Sequence, residues 1–212
     1  MLIFGHTGIT LGAAVLLDSI LTKRHSFSSE EKKLKEYKAH SAEALPAQDC
    51  SSGSRTSWFI SLANHIDIRL LLIGSLLPDI IDKPVGHLFF KATFSNGRIF
   101  SHTLLFLIVI TLLALYLHRS RGKRWLLALP LGIFAHLIED QMWLEPQTLL
   151  WPLHGFAFEK IDLTNWVLGT IHALLTNPAV YMPELIGVSI LIWFTVVSVQ
   201  KRTVYAFARR GK

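Results

Sequence analysis

Ser101-His102-Thr103-Leu104-Leu105-Phe106-Leu107-Ile108-Val109-Ile110-Thr111-Leu112-Leu113-Ala114-Leu115-Tyr116-Leu117 runs into the basic loop His118-Arg119-Ser120-Arg121-Gly122-Lys123-Arg124. A second apolar segment, Trp125 to Ile138, follows and ends in His136-Leu137-Ile138-Glu139-Asp140. His102 and Asp140 are equally far from Arg121, and His136 lies one helical turn inside Asp140. Folded as an antiparallel helical hairpin, the two segments bring His102, His136 and Asp140 to one level. Unpaired charge at the end of an oily hairpin is costly, so the trio predicts a metal site at a membrane surface.

The rest of the chain fits that reading. Hydrophobic residues make up 51% of the 212, a share expected of an integral membrane protein. Mean hydropathy is +0.41, in keeping with it. The one cysteine, Cys50, excludes an intrachain disulfide framework and a Cys-rich zinc site. The net charge of +6 raises nucleic acid as a partner, but the positive residues sit in loops beside apolar segments. Membrane topology accounts for them, and no nucleic-acid partner is expected. Met1 to Ile20 lacks the features of a cleaved signal and reads as a retained helix.

Working outward, Leu2 to Leu21 is an apolar helix containing Gly5-His6-Thr7-Gly8. Residues 22–57 form a polar, flexible insertion with the mixed-charge run Glu30-Glu31-Lys32-Lys33-Leu34-Lys35-Glu36. A helix from Trp58 to Ile81 ends at Pro78-Asp79-Ile80-Ile81-Asp82-Lys83-Pro84. The stretch 145–183, rich in Trp, Pro and His, reads as irregular, and Leu185 to Val199 is the last apolar helix. The expectation is a single all-α domain over 1–212, an integral membrane bundle of about five helices, although several runs fall short of the roughly 20 apolar residues that span a bilayer. Basic clusters at Lys23-Arg24, at 119–124 and in the C-terminal tail belong on the cytoplasmic side. That puts His6, Asp79, Asp82, His102, His136, Asp140 and Glu184 together near the outer face of the inner or cell membrane.

Ligand type then sets the chemistry. His136 and Asp140, spaced i, i+4, point from one helix face at a common ion. Asp79 and Asp82 do the same if their turn stays helical, while His102 and His6 add imidazoles from two further segments. Histidine and carboxylate donors without thiolate suit zinc, with manganese or iron as alternatives. An ion with an open coordination position activates water for hydrolysis. Glu139, about 100° from Asp140 around the helix, reads as a surface group or one that supports the ligands. Glu184 reads as a first-turn carboxylate of its own helix. Asp140 has Arg98 as a second potential partner. Trp143, Trp151 and Trp166 suit an interfacial aromatic belt.

The strings Gly5-His6, Leu76-Leu77-Pro78-Asp79-Ile80-Ile81-Asp82-Lys83-Pro84, Gly97-Arg98-Ile99-Phe100-Ser101-His102-Thr103-Leu104-Leu105, His136-Leu137-Ile138-Glu139-Asp140 and Leu150-Trp151-Pro152, in that order, resemble the membrane-bound metal-dependent hydrolases of the YdjM-like group. Their ligand pattern is similar to that of the all-helical zinc-dependent phospholipase C and P1 nuclease group. The resemblance implies one ion held by Asp79, His102, His136 and Asp140, with His6 on a neighbouring ion that Asp140 bridges. It implies a hydrolase acting on a phosphoester or lipid-linked substrate, with membrane lipids as surroundings. Asp79 or Asp82 would act as general base, and Arg98 would stabilise developing negative charge. The alternative is a non-catalytic membrane protein whose metal only staples the bundle.

Overall fold

A computed structural model describes residues 2–17, 19–20, 67–155, 157–158, 160, 166–202 and 204–205, with backbone alone at 124 and 166. The predicted polar insertion at 22–57, the start of the helix expected from Trp58, and the basic C-terminal tail beyond 205 lie outside these residues. Seven α-helices and no strand occur among the described residues. They are α1 (Ile3–Leu17), α2 (Ile68–Pro84), α3 (Leu104–Arg121), α4 (Ala128–Glu139), α5 (Pro146–Leu149), α6 (Trp166–Thr176) and α7 (Pro178–Gln200).

Local chemistry sets the ends of these helices. Asp67 accepts from the backbone N–H groups of Arg69 and Leu70 and starts α2 at Ile68, well after Trp58. The helix runs past the expected end at Ile81 to Pro84, so Asp79 and Asp82 stand one turn apart on one helix. Thr103 caps α3, leaving His102 in the turn ahead of it, and Gly122 closes α3 with left-handed backbone (φ 66°). The region 145–183 departs from its irregular reading, since α6 and the start of α7 lie within it.

Two of the helices, α3 with 18 residues and α7 with 23, are long and apolar enough to cross a membrane; α1, α4 and α6 are apolar but shorter. Little of either long helix is buried, and α3 exposes Leu105, Ile108, Val109, Leu112, Leu113, Leu115 and Tyr116 while burying only Ala114. Meanwhile His6, Asp82, His102 and His136 are fully buried. Apolar side chains outside and ionisable ones inside suit hydrocarbon surroundings and not water.

The principal helix pair is α2 against α4, which brings Ser75, Asp79 and Asp82 alongside His136 and Asp140. Glycine permits the contact. A Cβ on Gly74 would strike the Leu129 carbonyl, and one on Gly132 the Leu71 carbonyl. Small residues allowing close backbone approach are the usual device where lipid removes the hydrophobic drive between helices. Gly8 and Gly187 bring α1 onto α7 in the same way.

Candidate metal centre

Four chain segments deliver side chains to one end of the bundle. His6 comes from α1, and Asp79 and Asp82 from α2. His102 comes from the turn before α3, His136 from α4, and Asp140 from the C-cap of α4. The predicted hairpin level is met, because His136 Nε2 lies 3.2 Å from His102 Nε2.

Each imidazole is fixed through Nδ1 by an oxygen acceptor. His6 Nδ1 is 2.8 Å from Glu139 Oε2, His102 Nδ1 is 2.7 Å from Asp82 Oδ2, and His136 Nδ1 is 2.6 Å from the Ser75 carbonyl. A carbonyl or carboxylate oxygen only accepts, so each Nδ1 carries the proton and each Nε2 presents a lone pair. Those lone pairs converge. His102 Nε2 is 3.6 Å from Asp79 Oδ1 and 3.9 Å from Asp140 Oδ2, and His136 Nε2 is 4.0 Å from both oxygens. The His6 ring stacks on His136 with centroids 4.1 Å apart. Its Nε2 is 3.2 Å from Asp140 Oδ1 but lacks a hydrogen bond.

Two close contacts therefore set acceptor against acceptor, Nε2 against Nε2 and Nε2 against carboxylate, in a buried place where unpaired polar atoms are costly. A cation between them satisfies every one. Two donor sets have all their ligand atoms within 4.8 Å of one another: His6, His136 and Asp140, and Asp79, His102 and His136. They share His136, whose Nδ1 is already committed to Ser75, so its single remaining nitrogen serves one ion. Imidazole nitrogens with carboxylate oxygens, each imidazole backed by a fixed acceptor, are a donor set suited to a divalent transition ion.

Asp82 does not face the cluster. It is fully buried and accepts from the backbone N–H groups of Ile99, Ser101 and His102 as well as from His102 Nδ1. Lys83 pairs with Asp79 Oδ2 at 2.5 Å, not with Asp82. Arg98 spans Asp140 Oδ2 at 2.9 Å and Glu145 Oε1 at 2.6 Å. Lys83 and Arg98 are each about a third exposed, so both lie between the cluster and the surface.

Charge follows from these partners. Burial opposes the charged form of Asp140, yet the nearby Arg98 guanidinium holds its carboxyl well below the usual range. Burial lowers His102, but the neighbouring Asp79 carboxylate and the hydrogen bond to Asp82 outweigh it and raise its pKa above 6.5. The two carboxylates beside Arg98 raise its pKa in the same way, against its burial.

Glu139 supports a ligand, being nearly buried with Oε1 held by Thr10 at 2.9 Å and Oε2 on His6. Glu184 is not a first-turn carboxylate of α7. It is buried and accepts from Leu2 N at 2.6 Å and Gly5 N at 3.0 Å, capping α1 from across the bundle beside His6. The Ser75 carbonyl carries no sequence signal, being backbone. His154 and His172 are exposed.

The profile of the YdjM inner membrane protein family matches residues 1–208. No curated protein and no solved structure matches the chain, so the expected likeness to the zinc-dependent phospholipase C and P1 nuclease group finds no support there. The chain belongs to the YdjM inner membrane protein family.

Proposed function

We propose that this member of the YdjM inner membrane protein family is a metal-dependent hydrolase of a phosphoester, seated in the inner membrane with its centre near the outer face. The observation that carries the reading is the convergence of three proton-free Nε2 atoms and two carboxylates at one buried point. His6, Asp79, His102, His136 and Asp140 would hold a divalent ion, zinc first and manganese or iron otherwise. Such an ion supplies activated water and a positive centre for developing charge.

The chain's own residues divide the remaining work. Asp82, Glu139 and the Ser75 carbonyl orient the three imidazoles and fix their tautomers. With Asp82 turned away from the cluster and holding N–H donors of Ile99, Ser101 and His102, the base role falls to Asp79, whose Oδ2 leans on Lys83 and whose Oδ1 faces the cluster. Arg98, held by Asp140 and Glu145, lies where it stabilises negative charge on a leaving oxygen.

Five buried donors also favour a second reading, a filled coordination shell that only staples the helices. Elemental analysis of detergent-purified protein beside His136→Ala and Asp140→Ala, followed by a phosphoester screen, separates the possibilities. Bound metal lost in both variants together with turnover supports the hydrolase. Bound metal without turnover on any phosphoester supports the staple, and metal-free folded wild type removes both.

A further inference from the structure

Around the metal centre the loops expose apolar side chains. Leu88 and Phe89 are each 75% exposed and Phe90 54%, all in or just after the π-helical turn Val85–Phe89 that continues α2 beyond Asp82. Trp143 (56%) and Leu144 (68%) follow Asp140 directly, and Leu153 (84%) lies just past Trp151. These loops are not loose. Phe94, Phe100, Trp151 and Phe158 stack edge to face with centroids 5.2–6.0 Å apart and tie 90–100 to 150–158. Large apolar groups held rigidly outward face something other than water.

Continuity identifies what they face. The exposed apolar surface of α3 begins at Leu104 and Leu105, and Phe100, itself part-exposed, links it to this rim. Lys83 and Arg98 lie just inside the rim, each about a third exposed and each touching a carboxylate of the cluster. Lys91 follows Phe90 and is exposed. Aromatic and aliphatic tips with interleaved lysines are the pattern of a segment seated at the boundary of head groups and acyl chains.

We infer that the rim formed by Leu88, Phe89, Phe90, Trp143, Leu144 and Leu153 seats in the lipid–water interface, and that the site takes a membrane amphiphile with an anionic phosphate head. The head meets Lys83, Arg98 and the ion, while the tail stays among the rim residues and the surrounding lipid. This assignment of substrate class rests on the hydrolase reading above; the seating of the rim does not.

The experiment reconstitutes the full chain in phosphatidylglycerol-containing vesicles in a Cys50→Ser background. An environment-sensitive dye is placed at Leu88→Cys or Leu153→Cys. Leu112→Cys on the lipid-facing side of α3 provides the lipid reference, and the same dye on guanidinium-unfolded protein the aqueous one. The expected result is quenching at 88 and 153 by nitroxide-bearing lipid, as at 112, with shielding from aqueous iodide. Iodide quenching equal to the unfolded reference at both positions overturns the proposal. In the same vesicles, faster release of phosphate from a long-chain lipid phosphate than from glycerol phosphate supports the substrate class, and the reverse order overturns it. Labels seated in lipid with neither compound turned over count against the hydrolase reading and the substrate class together, and uphold the seating alone.

Discussion

Gly132→Ala should damage the metal centre from a full turn away. A Cβ at 132 would lie 2.7 Å from Ser75 N and 2.9 Å from Gly74 C, whereas ordinary contact begins at 3.4 Å. These neighbours are backbone of α2, with the Leu71 carbonyl oxygen nearer still, so no side chain can swing aside and the helices must part by at least 0.7 Å, the difference between 3.4 and 2.7 Å. The hydrogen bond from His136 Nδ1 to the Ser75 carbonyl, now 2.6 Å, would stretch to about 3.3 Å or beyond and release the imidazole. Loss of such an orienting bond costs about 10–100-fold in metal affinity. Overpacking itself costs about 1–3 kcal/mol of stability. Competition titration of metal-free protein against a chromophoric chelator reads the first effect, and thermal unfolding reads the second. Gly169→Ala, with nothing within 4 Å of its Cβ, serves as the control and should leave metal affinity unchanged and stability equal or slightly higher, alanine being the better helix former. Wild-type affinity in a normally stable Gly132→Ala would refute the claim that the α2–α4 contact sets the site.

Other perturbations test other parts of the site. Glu184→Gln should weaken the cap on α1, costing about 1.5–3 kcal/mol for a hydrogen bond to a charged group, and should lower metal affinity only while His6 is present. A double variant with His6→Ala, followed by the same titration, checks the coupling; full additivity would count against it. Metal occupancy should fall as pH drops, because a protonated imidazole binds no ion. With His102 raised, the loss should begin at a higher pH than an unshifted histidine would give, as read by equilibrium dialysis at stepped pH. Arg98→Ala should lower kcat more than it lowers metal affinity, since Arg98 touches Asp140 through one oxygen and leaves the imidazoles in place. Equal losses in both would make it a structural residue alone.

The parts of the site legible in the sequence follow from helical periodicity and symmetry. The equal spacing of His102 and Asp140 about Arg121 needs only an antiparallel hairpin, and the i, i+4 pair His136 and Asp140 needs only a helix. Asp79 was visible beside them, but the course of its helix was not. The sequence ends that helix at Ile81 and leaves open whether the turn of Asp79 and Asp82 stays helical, and packing of α2 on α4 carries the helix on to Pro84. Residues that act on the imidazoles were hidden for a related reason. The Ser75 carbonyl, the position of Asp82 under His102 and the reach of Glu139 to His6 depend on which helix faces meet. That is fixed by Gly74 and Gly132, whose meaning appears only when the two backbones touch. Glu184 was hidden because its cap acts on a helix 179 residues away in the chain. Composition misled over 145–183, where Trp, Pro and His obscured helix α6 and the start of α7.

X-ray absorption at the metal edge of protein purified without added metal tests the central claim most directly. The account predicts a first shell of nitrogen and oxygen at about 2.0–2.2 Å with the outer-shell scattering of several imidazoles, all of it reduced in His136→Ala. A shell of oxygen alone, a sulfur ligand, or a signal untouched by the loss of His136 would contradict it.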